Sequence, residues 1–70
     1  MSRLILQQFG QKIRSERLRQ NLSQEKLAER AGVHRTYVGM IERAEKNITL
    51  LNIEKFAKAL DISISELLDF

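Results

Sequence analysis

No cysteine and no proline occur in this chain, which has one histidine and three glycines. Without cysteine, neither a disulfide framework nor a thiolate metal site can staple the fold. A lone histidine, His34, excludes a multi-histidine zinc site. A thiol nucleophile is missing, and a Ser-His pair would have to use that one imidazole, on which no acid–base constellation converges. Enzymatic function is therefore not expected. No apolar run approaches the roughly 18 residues of a membrane helix, and the stretch at residues 1–6 is too short for a signal peptide. The expectation is a soluble cytoplasmic protein with no metal, no cofactor and no membrane partner.

What is present is 70 residues, enough for one small domain spanning residues 1–70. A chain this short buries only roughly 60% of its unfolded surface, and unstapled scaffolds of this size often gain stability by dimerising. Twelve Lys and Arg against nine Asp and Glu give a net charge of +3, compatible with a polyanionic partner. The charge is unevenly spread. Residues 1–20 hold five bases (Arg3, Lys12, Arg14, Arg17, Arg19) and one acid, Glu16. Residues 21–48 hold five bases and four acids, and residues 49–70 two bases and four acids.

Good helix formers dominate, and apolar–polar alternation is confined to the four residues Ile62–Ser65, so the chain reads as all-α. A first helix runs from about residue 3 to Arg19, with Leu6, Phe9 and Ile13 on one face, and Asn21 is a plausible stop. Ser23 is a good N-cap for a second helix carrying Leu27, Ala28 and Ala31, which Gly32 ends in a left-handed turn. A third helix starts near His34 and carries Tyr37, Val38 and Ile41. After a polar loop at 44–48, Thr49 caps a fourth helix whose apolar residues are Leu50, Ile53, Phe56, Ala57 and Leu60. Ser63 and Glu66 have the spacing of a capping box and open a short fifth helix with Leu67 and Leu68.

Residues 24–43 carry the functional signal. Two helices joined by a tight glycine turn form a helix-turn-helix, whose steep crossing demands apolar residues where the helices meet. Leu27, Ala31, Val33, Val38 and Ile41 occupy those positions, Ala28 is small where the helices cross, and Gly32 makes the turn. The bland alternative is an ordinary helical hairpin. In the helix-turn-helix the third helix enters the major groove of DNA. Arg35 is then placed to bond guanine O6 and N7, and Thr36 to meet a base or a thymine methyl. Tyr37 reads equally as a phosphate contact or as a half-buried core residue. His34 and Met40 are further base-contact candidates, against an idle surface histidine and flexible filler. Gly39 costs about 1 kcal/mol inside a helix, which implies close approach of either DNA or a neighbouring helix. Ser23 and Gln24, at the second helix's N-terminus, suit a phosphate. Arg43, Lys46 and Asn47 are candidates for phosphates on the far side. Arg17 lies one turn beyond Ile13, and Glu42 is the acid available to pair with it.

These residues resemble the Xre-type helix-turn-helix family, which includes the lambdoid phage repressors. The resemblance is carried by Phe9-Gly10, Ile13-Arg14, Arg17, Leu22-Ser23-Gln24-Glu25, Leu27-Ala28, Ala31-Gly32-Val33, Ile41-Glu42-Arg43 and Leu60. Within the family, His34-Arg35-Thr36-Tyr37-Val38 and Asn47-Ile48-Thr49-Leu50 are similar to the controller proteins of restriction–modification systems. The resemblance implies a lambda-repressor-like five-helix dimer without a ligand-binding domain. It implies binding to a palindromic operator and control of the controller and endonuclease genes on the bacterial nucleoid. It assigns DNA reading to Arg35, Thr36 and Tyr37, and backbone contacts to Arg17, Gln24, Arg43, Lys46 and Asn47. It also assigns an Arg17–Glu42 ion pair. Three positions depart from the pattern: Ala44 and Asn21 stand where glycine is common, and Glu16 where an apolar residue is common.

A dimer would hold two recognition helices about 34 Å apart, one DNA turn. The dimerisation region is expected at 48–70, through Ile48, Leu51, Ile62, Ile64, Leu67, Leu68 and Phe70. Glu25 and Glu29 project from the second helix, where acids can touch RNA polymerase at an activated promoter. The rival readings are a phage-type repressor of another operon and an antitoxin or other protein-binding module.

Overall fold

The computed structural model describes residues 4–70. Among them run five helices and no strand: α1 (Leu4–Arg19), α2 (Gln24–Ala31), α3 (Arg35–Glu42), α4 (Leu50–Leu60) and α5 (Ile64–Leu67). Residue 3, where the first helix was expected to begin and which supplies one N-terminal base, lies outside the described residues.

Local chemistry sets the boundaries. Ser23 Oγ accepts the Lys26 amide at 3.0 Å, and Thr49 Oγ1 the Asn52 amide at 3.1 Å, each satisfying one of the amides a helix start leaves unpaired. Ser63 and Glu66 close a full capping box, with both hydrogen bonds at 3.0 Å. The Glu66 carboxyl is held below its ordinary value by the Ser63 backbone N–H and then by the Ser63 side chain. At α2's far end Gly32 adopts φ 72°, while the Val33 amide donates to the Ala28 carbonyl at 3.0 Å. Three non-glycine residues take the same left-handed conformation: Asn21 (φ 58°), Ala44 (φ 63°) and Asp61 (φ 57°). Ala44, where the family often has glycine, therefore keeps the turn and bears its steric cost.

The core gathers one stripe from each helix. Phe56 of α4 is fully buried at its centre with Ile13, Leu27, Val38, Ile41, Leu60 and Leu67 around it. Full burial of each such side chain contributes about 1.5–3 kcal/mol. Two expectations are corrected here. Leu67, assigned to the dimer surface, is 0% exposed because α5 turns it under α4 and α1; it is a core residue. Leu50, grouped with the apolar face of α4, is 79% exposed: it keeps the spacing of Ile53 and Ala57 but is the first residue after the Thr49 cap, at the end of the stripe.

α1 meets the end of α3 backbone to backbone. A Cβ on Gly10 would meet the Ile41 carbonyl oxygen at 2.5 Å and that of Glu42 at 2.7 Å, so only a glycine lets these backbones touch. Two turns further along α1, Arg17 is buried. Its Nε donates to Glu42 Oε2 at 2.7 Å, Nη2 to Glu42 Oε1 at 3.0 Å, and Nη1 to the Leu22 carbonyl at 2.9 Å. A forked arginine thus joins α1, the α1–α2 turn and α3. Glu16, at a position often apolar, stays half-buried between Lys12 and Arg19.

Apolar surface remains outside this core. Leu51, Ile64, Leu68 and Phe70 are exposed, while Ile48 and Ile62 are half-buried against the core. An open apolar groove runs among Ile5, Phe9, Ile48, Leu68 and Phe70. Leu4 and Ile5 of α1 are also exposed.

Candidate nucleic-acid interface

The turn at Gly32 and the packing of Ala28, Ala31 and Val38 fix α3 across α2, leaving one face of α3 free. Arg35, Gly39 and Arg43 follow one another at intervals of four, so they form a single stripe along the helix, with Thr36 and Met40 on the adjacent one. Gln24 and Glu25, at the start of α2, lie beside the first stripe. Gln24 Oε1 would be 3.6 Å from a Cβ on Gly39, and Glu25 is ion-paired with Arg35. The start of α2, the start of α3 and the loop after α3 therefore share one edge. Arg35, Thr36, Ser23, Arg43, Lys46 and Asn47 are all exposed.

Individual side chains refine the roles expected of them. His34 is the N-cap of α3: its Nδ1 accepts the Thr36 amide at 3.1 Å, which leaves Nε2 as the atom facing outward chemistry. Tyr37 is half-buried, its ring stacked on Phe56 at 6.2 Å between centroids and 11° between planes. Asn52 Nδ2 donates to the Tyr37 hydroxyl at 3.0 Å, so the phenol proton is still available to an acceptor such as a phosphate. The half-buried core reading of Tyr37 holds. Met40 is half-buried at the edge of the face.

Gln24 Nε2 donates to Glu42 Oε1 at 3.0 Å, making Gln24 the third member of the Arg17–Glu42 cluster. The Gln24 and Glu25 amides, on the first turn of α2, have no intrahelical carbonyl to donate to and stand at the positive end of the helix dipole. Arg17 was expected both to hold the DNA backbone and to pair with Glu42; the pair is present, and with a side chain only 9% exposed and a hydrogen bond from each guanidinium nitrogen, Arg17 acts first as a tie within the fold.

Within the chain, Gly39 faces side chains rather than backbone, including Gln24 of α2. A Cβ there would come within 2.9 Å of Arg43 Nη1, so the missing side chain is filled by the Arg43 guanidinium folded back over α3. Arg43 in turn donates to Glu45 through Nε at 3.0 Å and Nη2 at 3.2 Å. These hydrogen bonds raise the Arg43 pKa and lower that of Glu45. Sequence reasoning passed over Glu45, and gave Glu25 a different partner. Spacing alone shows neither pairing, because one depends on the left-handed turn at Ala44 and the other on the crossing of α2 and α3.

A family model described as helix-turn-helix matches residues 13–67. The chain belongs to the helix-turn-helix family. It is 54% identical over 63 residues to the control protein C.BamHI of Bacillus amyloliquefaciens, covering 89% of this chain and 78% of that protein. It is 50% identical over 60 residues to the control protein C.SmaI of Serratia marcescens, covering 86% and 71%. The crystal structure of the restriction-modification controller protein C.AhdI from Aeromonas hydrophila superimposes with a TM-score of 0.87 at 50% identity, over 89% of this chain and 94% of that one. This helix-turn-helix protein is a DNA-binding transcriptional regulator of the controller type, with the lambda-repressor-like five-helix fold. No described helix is long and apolar enough to cross a membrane.

Proposed function

We propose that this regulator binds a palindromic operator as a homodimer and controls its own gene and that of a restriction endonuclease. The observation that carries the proposal is the junction of α2 and α3, where Arg35 pairs with Glu25 and Arg43 and Gln24 both lie against Gly39, with Thr36, Lys46 and Asn47 exposed. Arg35 and Thr36 read base edges, with His34 Nε2 and Met40 at the margin. The Ser23–Gln24 helix start, the Tyr37 hydroxyl, Arg43, Lys46 and Asn47 take phosphates. The apolar surface of Leu51, Ile64, Leu68 and Phe70, with Ile48 and Ile62 beneath it, supports pairing of two copies. That pairing would set the recognition helices about one DNA turn apart.

Titration of a duplex at increasing salt tests the DNA-binding part. Counterion release makes log K fall linearly with log salt, by about 0.9 for each phosphate neutralised. Binding without salt dependence, or no binding, overturns the proposal.

RNA polymerase is the second partner we propose, through the exposed carboxylates Glu25 and Glu29. Glu29 gives the cleaner test, because Glu25 also touches Arg35 while Glu29 pairs with Lys26 at 3.0 Å. Loss of promoter activation by Glu29→Ala with DNA affinity intact supports the contact, and unchanged activation sinks it.

A further inference from the structure

The two arginines that flank Gly39 along α3 are both already engaged. Arg35 Nη1 donates to Glu25 Oε2 across the α2–α3 crossing. Arg43 grips both oxygens of Glu45 in a fork, at 3.0 and 3.2 Å. The second pairing is built with some care. The left-handed turn at Ala44 (φ 63°) brings Glu45 back alongside α3, where the Glu45 amide donates to the Met40 carbonyl at 2.8 Å. Gly39 leaves the space into which the guanidinium folds. Lys46, by contrast, has no ion-pair partner among the described residues.

We propose that Glu25 and Glu45 are specificity-determining residues of this interface: each retains one DNA-facing arginine, and the arginine leaves it only for a contact better than the carboxylate. The inference rests on the DNA-binding reading above. An exposed ion pair is weak, so a guanine edge that takes two N–H hydrogens of Arg35, or an operator phosphate seated squarely on Arg43, displaces it. A phosphate met in the wrong register offers less and leaves the carboxylate unpaired beside the negative backbone. In non-specific complexes Arg35 and Arg43 then stay with their acids, fewer counterions are released, and random DNA is bound less tightly. The two acids weaken the competitor sequences more than the operator.

The test is a double-mutant cycle. Glu25→Gln and Glu45→Gln are made alone and over Arg35→Gln and Arg43→Gln, respectively. Each protein is titrated with a random-sequence duplex and with a duplex selected by the unsubstituted protein from random DNA. Each acid substitution alone is expected to raise random-duplex affinity several-fold and to steepen its salt slope by about 0.9, the contribution of one more phosphate contact. The selected duplex should gain less, so the specificity ratio falls, and both effects should vanish over the matching arginine substitution. A gain that persists without the arginine is a general charge effect and overturns the inference, as does an equal gain on both duplexes. Failure of the unsubstituted protein to bind either duplex with salt dependence instead overturns the DNA-binding reading beneath it.

Discussion

Gly10→Ala should destabilise the protein although alanine is the better helix former. The helix gain is about 1 kcal/mol. Against it stands a Cβ placed 2.5 Å from the Ile41 carbonyl oxygen, 2.7 Å from that of Glu42 and 3.1 Å from the Glu42 carbonyl carbon. Those atoms are backbone and cannot rotate away, so α1 and α3 must separate by several tenths of an ångström. The separation also stretches the Arg17–Glu42 hydrogen bonds of 2.7 and 3.0 Å, two turns along the same helix pair. Overpacking of this kind costs about 1–3 kcal/mol, and backbone against backbone belongs at the upper end. The net loss is then about 1–2 kcal/mol, or a Tm lower by about 5–15 °C for a domain of this size. Thermal unfolding followed by circular dichroism at one fixed protein concentration measures it. Gly39→Ala is the matched control, because its Cβ meets side chains alone: the mobile end of Arg43 at 2.9 Å and Gln24 Oε1 in ordinary contact at 3.6 Å. It should be neutral or stabilising. A Gly10→Ala protein as stable as its parent refutes the close-crossing argument.

Arg17→Met should cost about 3–5 kcal/mol, because it strands the Glu42 carboxylate, whose side chain is 3% exposed, without its partner; urea unfolding measures the loss. Ala44→Gly should raise stability by about 0.5–1 kcal/mol, since it removes the left-handed penalty at φ 63°, with a matching rise in denaturation midpoint. Leu51→Glu, at a side chain 71% exposed, should leave the fold intact and shift the proposed dimer to monomer in sedimentation equilibrium at micromolar concentration. The capping box has a pH signature. The Glu66 pKa is lowered in the folded state, so its contribution is complete above the ordinary carboxylate value and is lost as pH falls through the lowered one. In an NMR titration Ser63→Ala should move the Glu66 midpoint upward.

Local chemistry made the helices legible. Ser23, Thr49 and Ser63 mark their starts by side-chain oxygens, and Gly32 and Asn21 mark stops by the left-handed turn, each readable from a few neighbouring residues. The inward positions of the helix-turn-helix were equally plain, because Leu27, Ala31, Val38 and Ile41 must all be apolar for α3 to cross α2. What escaped depends on contacts distant in sequence or on the end of an apolar stripe. Gly10 carries no local sign that another backbone touches it. Leu67 and Leu50 have similar chemistry, yet one is buried and the other exposed, and only the packing of α4 and α5 separates them. Arg17 is assigned to Glu42 by chemistry, but its burial, at 7% exposed, comes from the packing of α1 against α3 and leaves no local sign. Nothing in the residues around His34 signals that its Nδ1 is spent on the start of its own helix. Gln24 was placed at the DNA edge, but its hydrogen bond to Glu42 spans eighteen residues and left no pattern to read.

The central claim is that α3 reads bases through Arg35. Selection of bound sites from random DNA by the unsubstituted protein and by Arg35→Ala tests it most directly. The unsubstituted protein should return a palindrome with half-sites about one turn apart, and Arg35→Ala should lose about 1–3 kcal/mol of discrimination at one symmetry-related base pair while keeping the rest. Enrichment of the same motif at every position by both proteins, or of no motif by either, contradicts it.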